Sequence, residues 1–166
     1  MALLLAAPAA FAQDATVTTR DSGWGMECIT SGNGAAFVCA SRYTRELADS
    51  DERLVELQVV PPGSSGIADP LVRLSLPHGI RLDARVGLRV DRGEQFLLPL
   101  QRSDARGLYT TLPLGADVLR AMKAGGTLTV SLALVEGAVL PVEIPLVGFA
   151  RAYDAALRVQ AEPAPR

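Results

Sequence analysis

The side chains of this 166-residue chain that could do chemistry are two cysteines, a single histidine, a doubled serine, a small acidic cluster and a spaced set of arginines. Cys28 and Cys39 flank Ser31-Gly32-Asn33-Gly34. Asn-Gly is the strongest two-residue hairpin signal, because both positions tolerate positive φ. With Asn33-Gly34 as the turn, Gly32 faces Ala35 and, counting outward, Cys28 lands opposite Cys39. Directly opposed strand residues sit at Cα separations that a disulfide accepts. Closing so short a loop would contribute about 2–3 kcal/mol. The alternative is a pair of buried free thiols. No Cys-x-x-Cys spacing is present to poise a catalytic redox pair.

The other candidates are weaker. His78 is the only histidine and stands between Pro77 and Gly79, which reads as a turn. Zinc wants three or four N or S ligands, and the sequence points to no partners for this imidazole. Gly63-Ser64-Ser65-Gly66 lacks the Gly-x-Ser-x-Gly elbow of a serine nucleophile and reads as a flexible loop. Asp49, Asp51 and Glu52 miss the spacing of a calcium loop and read as a solvated face or helix cap. No catalytic residue, cofactor site or metal site is therefore expected. The arginines remain: Arg81, Arg85 and Arg89 recur at fours with Asp83 and Asp91 among them. Even spacing on strands places all five on one face. Such a ladder serves solubility and weak pairing, or a partner surface, where arginine is enriched. Trp24, the only tryptophan, is expected to pack beside the disulfide, with an exposed binding role as the alternative. The candidate interaction face is thus Arg81, Arg85, Arg89 and Trp24.

The elements that must position these residues are mostly strands. Val72, Leu74 and Leu76 alternate with Arg73 and Ser75; Ile80 and Leu82 alternate with Arg81 and Asp83; Val86, Leu88 and Val90 alternate with Arg85 and Arg89. A period of two with one apolar face is the mark of an antiparallel sheet wet on one side. Further strands are expected over 56–60, 95–100, 108–112, 127–134 and 139–144. The 41–53 stretch is polar and ambiguous, and 62–69 reads as a loop. Asp117 is placed to cap a short helix over 118–124 that ends at Gly125-Gly126. A C-terminal helix runs from about Phe149 to Gln160, with Phe149, Ala152, Tyr153, Ala156 and Leu157 on one stripe. Many short strands with regular turns predict a mainly β fold, an antiparallel β-sandwich or partly closed barrel.

Length and composition set the compartment and exclude some partners. A chain 49% hydrophobic and of this length supports one domain, read as 13–160, with 161–166 a loose tail. The net charge of −2 gives no reason to expect nucleic acid. Residues 2–10 are apolar and uncharged and lead to Ala10-Phe11-Ala12, a small-x-small cleavage site, so 1–12 is read as a Sec-type signal peptide cut near Ala12-Gln13. Its positively charged opening is missing, so the segment is read as truncated. No apolar run reaches membrane length. The expected location is periplasmic or secreted.

The order of motifs resembles the invasion-associated locus B family of exported bacterial proteins. Trp24 precedes the first cysteine, and the second follows a hairpin. Leu76-Pro77-His78-Gly79 matches the family's Leu-Pro-x-Gly step, and Val90-Asp91-Arg92-Gly93 its Val-Asp-x-Gly turn. Leu119 to Gly125 matches its short helix, and Leu146-Val147-Gly148-Phe149-Ala150-Arg151-Ala152-Tyr153 its closing motif. Where family members carry a second cysteine pair, this chain has Gln101 and Leu108. The resemblance implies export and an association with host-cell invasion, but no enzymatic activity that could be assigned to residues. The reading is an exported, non-catalytic module that contacts an envelope protein or surface polymer, through a polar sheet face or the 61–70 loop. The alternatives are a small-ligand-binding periplasmic protein and an envelope hydrolase.

Overall fold

The computed structural model describes residues 19–31, 36–50, 52–63 and 68–161. The expected signal peptide, the Asn33-Gly34 turn, Ser64-Ser65-Gly66, Asp51 and the 162–166 tail lie outside these residues. The described chain forms β1 (Thr19–Asp21), β2 (Gly25–Ser31), β3 (Ala36–Leu47), β4 (Arg53–Val60), β5 (Leu71–Leu76), β6 (Arg85–Val90), β7 (Gln95–Pro99), β8 (Arg102–Asp104), β9 (Gly107–Pro113), α1 (Ala116–Ala124), β10 (Thr127–Ala133), β11 (Val139–Pro145) and α2 (Phe149–Ala161). The expected mainly β architecture is present as a sandwich of two antiparallel sheets that do not close into a barrel.

The larger sheet runs β1-β3-β4-β5-β9-β8, with β2 also paired to β3; the smaller runs β11-β10-β6-β7. The period of two in the sequence explains how they pack. In β5 the burial alternates residue by residue, with Val72, Leu74 and Leu76 inside. Tyr43, Leu57 and Leu74 are cross-strand neighbours and meet Leu88, Val130 and Ile144 of the other sheet in one apolar cluster. Each such side chain contributes about 1.5–3 kcal/mol when fully buried. The larger sheet is wider than the smaller, and α2 covers the inner face left over on β2 and β3. Its apolar stripe, with Phe149, Ala152, Tyr153 and Ala156 buried, matches the expected one.

Trp24 joins the layers. Its indole N–H donates to the Pro145 carbonyl at 2.7 Å, and its ring stacks edge-on to Phe149 and tilted against Tyr43. At the opposite side, residues 100 and 101 carry the chain from the smaller sheet into the larger. There Gly107 opens β9 at φ +144, where a Cβ would lie 2.1 Å from the Leu76 carbonyl oxygen. Only glycine permits β8 and β9 to turn so closely over β5.

Two local expectations are corrected, and two open readings are resolved. Leu76 to Asp83 does not continue as a strand: Ile80 makes one isolated bridge to Leu134, and Leu82 is exposed. Pro77 lacks the N–H a ladder needs, and Gly79 at φ +92 bends the backbone. The ambiguous 41–53 stretch is largely strand, because β3 runs on to Leu47. Asp117 does not cap α1; Gly115 holds that position without a side-chain bond, and Asp117 instead pairs with Arg120 at 2.7 Å. Trp24 is buried, as the packing reading expects, and its aromatic partners are Tyr43 of β3 and Phe149 of α2.

Candidate interaction face

Register decides which polar side chains meet. Cys28 pairs with Cys39 across β2 and β3, as the hairpin count predicted, and the two form a disulfide with a Cα separation of 4.0 Å. The polar set on the larger sheet follows from the next strands. Arg42 pairs with Gln58, Gln58 with Arg73, and Arg73 with Thr111, in one row across β3, β4, β5 and β9. In the next row Thr44 pairs with Glu56, Glu56 with Ser75, Ser75 with Tyr109 and Tyr109 with Arg102. Along β4 and β5 their neighbours are buried, so both rows stand on the outer face, and Arg102 joins them through its pairing with Tyr109.

Glu56 is the hub of this face and is only 8% exposed. Its Oε2 receives Arg42 Nη2 at 2.9 Å and Arg53 Nη1 at 3.1 Å, while Gln58 Nε2 donates to Oε1 at 3.0 Å. Arg42 Nε also reaches Glu27 at 3.3 Å as an ion pair. The hydrogen bond to Glu56 is the main reason the Arg42 pKa lies above its ordinary value. Burying a carboxylate is tolerable only when charges and donors surround it, which these residues do.

Beyond the hub lies a polar concavity of about 540 Å³ between β4, β5, β9 and β8. Arg73 and Arg102 line it, and neither makes an ion pair among the described residues. Arg102 lies over the Tyr109 ring, 5.1 Å from its centroid. The Tyr109 hydroxyl donates to Asp104 Oδ1 at 3.1 Å. The Asp104 carboxyl is held below its usual range, chiefly by the backbone N–H of Arg106 and then by Tyr109, with Arg102 contributing from a distance. Gln101 Oε1 accepts the Thr111 N–H at 2.7 Å, which leaves its amide N–H₂ as a donor.

The arginines singled out in the sequence lie elsewhere. Arg85 and Arg89 stand on the outer face of β6 in the smaller sheet, with Arg89 between Gln95 and Thr129. Arg81 does not join them. It lies in the bend before β6, where Nε and Nη2 grip Asp83 at 3.0 and 2.6 Å. Asp91 leaves the face too: at φ 47 its carboxylate turns to accept the N–H groups of Gly126 and Thr127. The five-residue ladder is thereby corrected to a pair. His78 shares a shallow depression with Glu52 and Glu136. Among the described residues no three His, Cys, Asp or Glu side chains converge to hold a metal ion. A separate apolar groove of about 450 Å³ lies beside α1, lined by Pro70, Pro113 and Leu119; its cations Arg120 and Lys123 are paired with Asp117 and Asp154.

Sequence reading missed Glu56, Gln58, Arg73, Arg102 and Tyr109. Their signal was present as alternation in Glu56-Leu57-Gln58, Arg73-Leu74-Ser75 and Tyr109-Thr110-Thr111, but not the strand order that joins them.

Residues 24–157 match the family model described as invasion associated locus B (IalB) protein. No curated protein matches the sequence. A crystal structure of invasion associated protein B from Bartonella henselae has a similar fold, with a TM-score of 0.68 and 22% identity, covering 85% of this chain and 97% of that one. Among the described residues no helix is long and apolar enough to cross a membrane.

Proposed function

The chain belongs to the invasion associated locus B family, and on that premise we propose that it is an exported cell-envelope protein that works by binding rather than by catalysis. Its partner is an envelope protein or surface polymer held on the outer face of the larger sheet. The observation that carries this reading is the division of labour on that face. Glu56 occupies Arg42 and Arg53, whereas Arg73 and Arg102 stand over the concavity without an ion-pair partner among the described residues. Arginine in this state is enriched at contact surfaces, because its planar fork pairs with oxyanions and loses little hydration. Export is supported by the apolar N-terminal segment and by the Cys28–Cys39 disulfide, a bond that persists in oxidising compartments. The association with invasion carried in the family's name enters as part of the same proposal.

The test is crosslinking in intact cells, with a photoreactive residue at Ser75 on this face or at Thr129 beside Arg89 on the smaller sheet. Retention of one envelope component from Ser75 and not from Thr129 is expected. Capture from Thr129 alone would move the site to the other sheet. No capture, with a monomeric protein in periplasmic extract, would overturn the binding reading.

A further inference from the structure

We propose that the concavity between β4, β5, β9 and β8 binds an acidic polysaccharide, with Arg73 and Arg102 receiving the carboxylates of its uronic-acid units. The inference rests on the binding reading above and names the ligand chemistry of the same face.

Three features of the site select this class. The first is charge. The carboxylate of Glu56 is already matched by two guanidinium groups, and that of nearby Asp104 is turned to the Arg106 N–H and the Tyr109 hydroxyl, so the guanidinium donors of Arg73 and Arg102 are left for an external anion. The second is spacing. Arg73 and Arg102 stand two strands apart, on β5 and β8 with β9 between them, and one row apart along the strands. Neighbouring strands lie about 4.8 Å apart and same-face residues about 7 Å apart, so the two Cα atoms are separated by about 12 Å. Two long side chains at that separation can reach successive charges along an extended polymer. The third is the lining between them. Gln58, Ser75 and Gln101 offer amide and hydroxyl groups to the concavity, and the Gln101 carbonyl is anchored by the Thr111 N–H, which leaves its N–H₂ group to donate. This is a set for sugar hydroxyls. An acidic peptide would need an apolar anchor to offset its ordering, and the only outward-facing ring in this lining, that of Tyr109, already lies under Arg102. Arg102 is held ready by Tyr109, since a guanidinium stacked on an aromatic ring loses less freedom when it binds.

Isothermal titration of the mature protein with α-1,4-linked trigalacturonate tests the assignment, with maltotriose and a hexaglutamate peptide as parallel probes. Trigalacturonate alone is expected to bind, and more weakly as salt rises. Arg73→Gln and Arg102→Gln are each expected to lower affinity about ten-fold, the effect of one charge-assisted hydrogen bond. Arg151→Gln, on the exposed side of α2, is expected to leave it unchanged. Circular dichroism and the thermal midpoint of each variant separate lost binding from lost folding. Absence of trigalacturonate binding, equal binding of hexaglutamate, or wild-type affinity in both arginine variants would overturn the proposal. If Ser75 nonetheless captures an envelope component in cells, only the ligand class fails and the interaction face stands.

Discussion

Gln160 completes the sheet where β3 and β4 part. Its carboxamide accepts the backbone N–H of Cys39 at 3.2 Å and donates to the Pro61 carbonyl at 3.1 Å. Ser41 pairs with Val59, so the next rung on this register joins Cys39 to Pro61. Proline ends the ladder because it has no N–H to return. A side chain from α2 stands in for the missing peptide group, and it does so at the disulfide-bonded residue of β3. Helix, sheet and hairpin are thus tied at one buried amide, only 5% exposed.

Replacing Gln160 with leucine keeps the bulk but strands two buried backbone groups. The expected loss is about 2–6 kcal/mol, at about 1–3 for each of the two unsatisfied groups. Urea unfolding measures it; a loss under 0.5 kcal/mol would show that the bridge contributes nothing.

The disulfide closes a loop with a sequence separation of 11. Chain-entropy reasoning gives about 3 kcal/mol for a loop of this size. Cys28→Ser should therefore be less stable than the native chain in oxidising buffer and equal to it once the native bond is reduced. Equal midpoints in oxidising buffer would contradict the loop-closure argument.

Glu56→Gln leaves Arg42 and Arg53 facing a neutral group. Both arginines are partly solvated, so the expected cost is about 1–2 kcal/mol, below that of breaking a fully buried pair. A cycle with Arg42→Met should be non-additive, because the second change removes a cation the first left unpaired. Strict additivity would mean that the two side chains are not coupled.

Alkaline pH should loosen the core. Burial raises the pKa of Tyr43 and of Tyr153 above the ordinary 10.0, and Asp154 adds to the rise at Tyr153. The folded state then holds these protons more tightly than the unfolded one. The associated stability is fully present below pH 10 and falls as pH climbs through the folded-state values. Absorbance titration of the phenolates alongside thermal melts should show stability declining in that range. Phe replacement at Tyr153 should flatten the decline, and an unchanged slope would assign it elsewhere.

Much of this architecture is legible in the amino-acid sequence. Alternation in Val72-Arg73-Leu74-Ser75-Leu76 announces a strand with one wet face, and the 149–160 stripe announces a helix with one dry side. The Cys28–Cys39 pairing followed from counting outward from an Asn-Gly turn. In each case the governing interactions lie within a few residues, so the chain carries the information locally.

The interaction face is a different matter. Reading even spacing as one continuous strand put Arg81, Asp83 and Asp91 with Arg85 and Arg89, but Pro77 and Gly79 break that strand and a left-handed Asp91 turns its carboxylate to the Gly126 and Thr127 amides. What the amino-acid sequence determined by itself is which residues turn outward on each strand, because a pleated backbone alternates sides regardless of its neighbours. Which strands then stand side by side was decided only by the tertiary structure. The order β3-β4-β5-β9-β8 sets Arg42 beside Gln58, Gln58 beside Arg73 and Tyr109 beside Arg102. Burying both apolar faces against each other and under α2 selects that order, and no local pattern contains it.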